Sequence, residues 1–184
     1  MQTVPRLGRA GQERTCTADM TRRNVDSIST DLYQQPGHLI RRAHQISVSV
    51  FLETVGGALT PIQYAMLRAL QEEPGIDQVT LARRVALDNS TAANTAARLE
   101  AKGWISREIL PRRQRRLVLT PEGESLMQRL LPAIRELNRV LLKRLEAAER
   151  RELIRLLAKF VDLSNDLSRA PLRRTGRRGL AVAD

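Results

Sequence analysis

From residue 31 onward the apolar positions fall into runs of helical period, broken once by a short stretch that alternates. Leu39, Ala43, Ile46, Val50 and Phe51 recur at helical spacing until Gly56-Gly57 stops the run. Thr60-Pro61 reads as an N-cap with proline at the first helical position. It opens a helix with Leu67 and Leu70 inward that ends near Pro74-Gly75. A short helix over Asp77–Val85, capped by Asp77 or Thr80, leads through a tight turn into a second over Asn89–Lys102. Asp88 or Ser90 caps that second helix and Gly103 follows its end. The period then drops to two, with Leu117 and Leu119 alternating in a two-stranded ribbon. Thr120-Pro121-Glu122 repeats the capped, proline-started pattern. The long helix it opens carries Leu126, Leu130, Ile134, Leu137, Leu141 and Leu145, with a kink expected at Pro132. A last helix from about Ala148 carries Leu153, Leu156, Leu157, Phe160, Leu163 and Leu167.

This order predicts a mainly α fold with a small β-wing: a winged helix-turn-helix plus N- and C-terminal dimerisation helices. The expected divisions are a disordered tail over 1–30 and a first dimerisation helix over 31–58. The DNA-binding domain follows over 59–122, then the C-terminal dimerisation helices over 123–168 and a disordered basic tail over 169–184. Met20 is an alternative start, because nothing before it has structural periodicity. The first, long and last helices carry more apolar face than one subunit buries, so a homodimer is expected.

Charge sharpens the partner. The 184 residues carry a net charge of +11, which favours a polyanion. No stretch reaches the roughly 18–20 apolar residues of a spanning helix, and the N-terminus lacks a signal-peptide core, so no membrane partner is expected. The single Cys16 excludes an intrachain disulfide framework and a cysteine-based metal site; a reducing bacterial-type cytoplasm is the simplest setting. Aromatic content of 3% argues against base-stacking single-strand or RNA platforms. Double-stranded DNA is the expected partner.

The candidate contacts follow. Asn89, Ser90, Thr91, Asn94 and Thr95 offer short polar groups among alanines, which allow close approach. Asn94 suits adenine, and Arg98 a phosphate or guanine. Arg112, Arg113, Arg115 and Arg116, with Gln114 among them, crowd the ribbon tip, a concentration of like charge suited to a minor groove or to phosphates. The blander readings are a solvated helix and a surplus-charge turn. His38 and His44 stand six residues apart with Arg41 and Arg42 between, which does not put two histidines on one helix face for a metal. His38, Arg41, Arg42, His44, Tyr64 and Arg107 are instead the candidates for holding a small carboxylate. Surface or interface polarity is the alternative for the helix residues, and a core role for Tyr64. Trp104 is expected to pack the start of the ribbon. No nucleophile–base arrangement, paired carboxylates or phosphate-cradling loop points to an enzyme or a cofactor.

Several segments together carry a resemblance. Leu59-Thr60-Pro61-Ile62-Gln63-Tyr64, Leu81-Ala82, Asp88-Asn89-Ser90-Thr91, Arg98-Leu99-Glu100-Ala101-Lys102-Gly103-Trp104-Ile105 and Leu119-Thr120-Pro121-Glu122-Gly123 resemble the MarR family of bacterial transcriptional regulators. The likeness covers roughly Leu32 to Leu167 and implies homodimeric winged-helix proteins, usually repressors. It also implies that a small phenolic or aromatic-acid ligand, bound between dimerisation helices and reading head, loosens the grip on DNA. Gln35-Pro36-Gly37-His38-Leu39-Ile40-Arg41-Arg42-Ala43-His44-Gln45-Ile46, with Pro74-Gly75-Ile76-Asp77-Gln78, is similar to the branch that represses nicotinate and aromatic-acid catabolism. That likeness implies a hydroxynicotinate-like effector. One departure is Pro111, where the family's wing carries an aspartate that braces the arginine corresponding to Arg113. The expectation is therefore a ligand-responsive repressor on a pseudo-palindromic site with half-sites about 10 bp apart. The alternative is a non-specific architectural DNA-binding protein without a ligand.

Overall fold

The computed structural model describes residues 31–109 and 115–173; the expected tail over 1–30, the ribbon tip over 110–114 and the stretch 174–184 lie outside the described residues. By its internal contacts the chain divides after Arg42 into two units, and the first helix crosses that division. The described part of the first unit opens with Asp31, whose carboxylate accepts the Tyr33 amide at 3.0 Å and caps a 3-10 turn over Leu32–Gln34. Helix α1 (Pro36–Val55) starts there, and the Tyr33 ring meets His38 edge-on at 5.7 Å.

The second unit holds the end of α1 and everything after it. Helix α2 (Pro61–Glu72) begins in a full capping box: Thr60 Oγ1 accepts the Gln63 amide and Gln63 Oε1 accepts the Thr60 amide, each at 3.2 Å. Helices α3 (Gln78–Arg84) and α4 (Asn89–Ala101) follow. Strands β1 (Ile105–Ile109) and β2 (Arg115–Leu119) pair antiparallel, with Ile105 opposite Leu119 and Glu108 opposite Arg116. Ile76 adds an isolated antiparallel bridge to Leu117 of β2, which the one-dimensional pattern did not announce. Leu117 donates its amide to Ile76 O at 2.9 Å, and Gly75 donates to Leu117 O at 3.0 Å.

Helix α5 (Pro121–Leu142) continues on both sides of Pro132, where the sequence anticipates a kink, and α6 (Ala147–Leu163) follows a short turn. The last helix stops earlier than its apolar period suggests. Leu167 belongs to a separate 3-10 turn, Asn165–Leu167, because the run Ser164-Asn165-Asp166 favours local side-chain bonds over helix. Residues 169–173, assigned on sequence to a tail, fold back on the head. Asn165 accepts the Leu172 amide at 2.8 Å and donates to its carbonyl at 3.1 Å, and the Arg173 amide donates to Arg83 O at 2.9 Å.

The core is built around α2. Met66, Leu67 and Leu70 meet Leu81, Ala96, Leu99, Ile105, Leu117 and Met127, all buried. The first and last helices contrast with this. No residue of α6 is buried, and Ile154, Phe160 and Leu163 are exposed by 56%, 52% and 72% in the single chain. On α1, Leu39 and Ile46 are likewise exposed and only Phe51 is buried. No described helix is long and apolar enough to cross a membrane.

Candidate nucleic-acid interface

The reading head is assembled from capped helices held together by ion pairs. Asp77 receives the Val79 amide at 2.9 Å, the Thr80 amide at 3.0 Å and the Thr80 hydroxyl at 2.6 Å. Partial burial pushes the Asp77 carboxyl up, but these hydrogen bonds outweigh it and hold it below its ordinary value. At the other end of α3, Arg84 bonds Glu73 and reaches Glu72 at 3.0 Å, tying α3 to the end of α2. Arg84's hydrogen bond lowers the Glu72 pKa against the opposing effect of burial. The turn between α3 and α4 needs a left-handed residue, and Ala86 supplies it at φ 54°. Leu87 then closes the turn by donating to Ala82 O at 2.9 Å. Both residue types expected as caps take part at α3, whereas Asp88 alone caps α4, accepting the Thr91 amide at 2.8 Å.

Helix α4 presents two faces. Ala92, Ala96 and Leu99 are fully buried, and the small alanines let the helix sit close on the core. Opposite them, Asn89, Ser90, Asn94 and Arg98 are exposed, and Arg98 has no ion-pair partner among the described residues. Thr91 and Thr95 are half-buried at the border. The Thr91 hydroxyl bonds Asp88, which together with the Thr91 amide holds that carboxyl below its ordinary pKa. Thr91 is thus committed first to the cap.

Gly103 ends α4 at φ 71° and directs the chain into β1. The ribbon is anchored where it meets α5. Thr120 caps α5 through the Gly123 amide at 3.0 Å, donates its hydroxyl to Gly103 O at 2.6 Å, and gives its amide to Trp104 O at 3.1 Å. A Cβ on Gly123 would overlap the Trp104 carbonyl. Half-buried Trp104 packs on the core, and Lys102 stands over its ring at 4.6 Å.

Of the wing residues, Arg112, Arg113 and Gln114, with the departure at Pro111, lie outside the described residues. Arg115 is placed on β2 through its backbone. Arg116 is exposed, with its side chain lying beside Gly75, where Cδ would stand 3.4 Å from an added Cβ.

The six ligand candidates divide between the units. His38, half-buried against Tyr33, and exposed Arg41 and Arg42 belong to the first; exposed His44, Tyr64 and Arg107 belong to the second. Tyr64 packs on the core, its ring 6.1 Å from that of Phe51. Arg107 Nε lies 3.0 Å from Glu100 Oε2, an ion pair whose angle falls short of a hydrogen bond and which ties β1 to α4. No group of three metal-binding side chains occurs among the described residues.

Sequence reasoning missed one feature beside α4. An open concavity of about 320 Å³ at the start of that helix is lined by Arg83, Asp88, Asn89, Arg169, Pro171 and Arg173, among others. The signal was present in the arginines of both segments, but their meeting depends on the fold-back of residues 169–173.

Comparison with known proteins agrees with this geometry. A profile described as the MarR family matches residues 59–117. The transcriptional repressor NicR of Pseudomonas putida is 29% identical over 141 residues, covering 75% of this chain and 89% of the relative. The regulator PcaV of Streptomyces coelicolor, solved in complex with its natural ligand, superposes with a TM-score of 0.69 at 37% identity, over 74% of this chain and 98% of that one. Bordetella bronchiseptica BpsR, whose DNA binding is regulated by 6-hydroxynicotinic acid, matches with a TM-score of 0.67 at 31% identity, over 70% of this chain and 94% of its own. With its capped reading helix, two-stranded wing and flanking apolar helices, the chain belongs to the MarR family of DNA-binding transcriptional regulators.

Proposed function

We propose that this protein is a homodimeric repressor that grips a pseudo-palindromic operator and is released by a small aromatic carboxylate of the hydroxynicotinate type. The observation that carries the DNA contact is the two-faced α4. Its exposed Ser90, Asn94 and Arg98 stand on a helix fixed by buried alanines, with Arg98 free to reach an anion. Asn89 and Thr95 extend that surface, Thr91 reaches it from the cap, and the arginines from Arg112 to Arg116 supply the minor-groove contact. Dimerisation covers the exposed apolar side chains of α6 and α1. The effector class is supported by the likeness to BpsR, whose DNA binding is regulated by 6-hydroxynicotinic acid. His38, Arg41, Arg42, His44, Tyr64 and Arg107 are the residues proposed for it, with an arginine on the carboxylate and a histidine on a ring substituent. Ligand favours a spacing of the two heads that no longer matches successive grooves.

The test is selection of a binding site from a random duplex library, followed by titration of selected and scrambled duplexes at one salt concentration. Selected DNA binding at least about a thousandfold tighter supports a specific regulator; equal affinities mean an architectural protein. Adding 6-hydroxynicotinate or benzoate to the specific complex then tests the effector. Release supports the aromatic-acid class, and a complex indifferent to both at millimolar concentration removes it.

A further inference from the structure

We infer that Arg169 and Arg173, brought to the head by the fold-back after α6, join Arg83 in a second DNA-backbone contact at the start of the recognition helix. This rests on the reading of α4 as the DNA-contacting helix and adds a surface to it.

The segment is built onto the head. Asn165 holds both the amide and the carbonyl of Leu172, fixing the backbone seven residues downstream. The Arg173 amide then donates at 2.9 Å to Arg83 O in the last turn of α3, a carbonyl that also accepts the Ala86 amide at 3.4 Å. Leu172 is half-buried, while Arg169 and Arg173 on either side of it are exposed.

The charge arrangement points to an anion. Arg83, Arg169 and Arg173 line one concavity and form no ion pair with any described residue. Their neighbour Arg84 shows the contrast, since two carboxylates hold it. The carboxylate in the concavity, Asp88, is engaged by Thr91 as the cap of α4. Three guanidiniums around one open site outnumber the Asp88 carboxylate and leave the concavity net positive, which favours a further anion there.

Position identifies that anion as the phosphate backbone. Asn89, the first residue of α4, lines the same concavity. The N-terminal end of a recognition helix is the end that meets base edges, so groups beside it stand over the phosphates bordering the groove. A guanidinium there makes charge-assisted, bidentate contacts that fix register and carry no base preference.

The test uses the full chain and a fluorescent mixed-sequence duplex of about 40 base pairs, titrated at salt concentrations from about 50 to 200 mM. Arg169→Ala combined with Arg173→Ala should flatten the plot of log affinity against log salt by about 0.9 for each phosphate left unneutralised, or about 1.8 per protomer. Arg169→Lys with Arg173→Lys should restore most of the slope, a rescue that a purely structural role would not give. A charge-matched control, Arg135→Ala with Arg144→Ala on and after α5, should leave the slope near wild type.

A wild-type slope in the double alanine variant overturns the second contact while leaving the α4 reading intact. Equal flattening in the control overturns it too, because net charge would then be the cause. Absence of wild-type binding to any duplex removes the DNA reading and this contact together.

Discussion

Gly123 shows how tightly single residues are constrained at the head. Its Cα faces the Trp104 carbonyl at a distance that admits no methyl group, so Gly123→Ala must displace either α5 or the start of the ribbon. Overpacking of this kind costs about 1–3 kcal/mol. A urea denaturation series should show that loss as a lower midpoint, and an unchanged midpoint would mean that α5 shifts freely. Sequence placed this glycine in the first turn of a helix, where its residue type looks unfavourable. Only the contact with a residue nineteen positions earlier explains it. The same holds for the ion pair of Arg107 with Glu100, which depends on β1 lying beside α4 and has no sign in the sequence.

At the scale of elements, the helix starts were legible and their mutual arrangement was not. Thr60, Asp77, Asp88 and Thr120 each precede an apolar run, and each accepts the backbone amides that the first turn leaves free. That chemistry is local, so one dimension suffices to read it. The Ile76–Leu117 bridge and the Arg84 pairs with Glu72 and Glu73 join segments far apart in sequence, and no periodicity encodes them. Asp77→Ala should cost about 1 kcal/mol at neutral pH by removing the cap of α3. Because folding lowers the Asp77 pKa, its contribution is fully present above the ordinary aspartate value. It fades as pH falls through the lower folded value. Wild type and Asp77→Ala should therefore converge in stability toward acid; a constant difference down to the acid limit of folding would refute the carboxylate's role.

For the whole molecule, the governing fact is that the buried core and the unspent apolar surface lie in different helices. Met66, Leu67 and Leu70 are sealed inside the head, while α6 exposes Ile154, Leu157, Phe160 and Val161 in the single chain. Ile154→Glu with Phe160→Glu should leave the head folded and convert a dimer into monomers, read by sedimentation. Operator affinity should fall by at least about tenfold once the two half-sites are no longer bound together. A double variant that sediments as a dimer would place the interface elsewhere. The apolar surplus was legible in the leucine periods of the last two helices, whereas the fold-back of residues 169–173 was not, since an arginine-rich stretch without period gives no hint of where it lands. The burial of Met127 bears on how such a protein could be recombined. The core runs past the cap at Thr120 into the second turn of α5, and Leu126 and Leu130 pack against it. A head transplanted onto another regulator's frame with a junction at Thr120 would arrive with its floor open. The transferable module ends beyond Leu130, so the natural seam for exchanging DNA specificity lies inside a helix rather than at the loop before it.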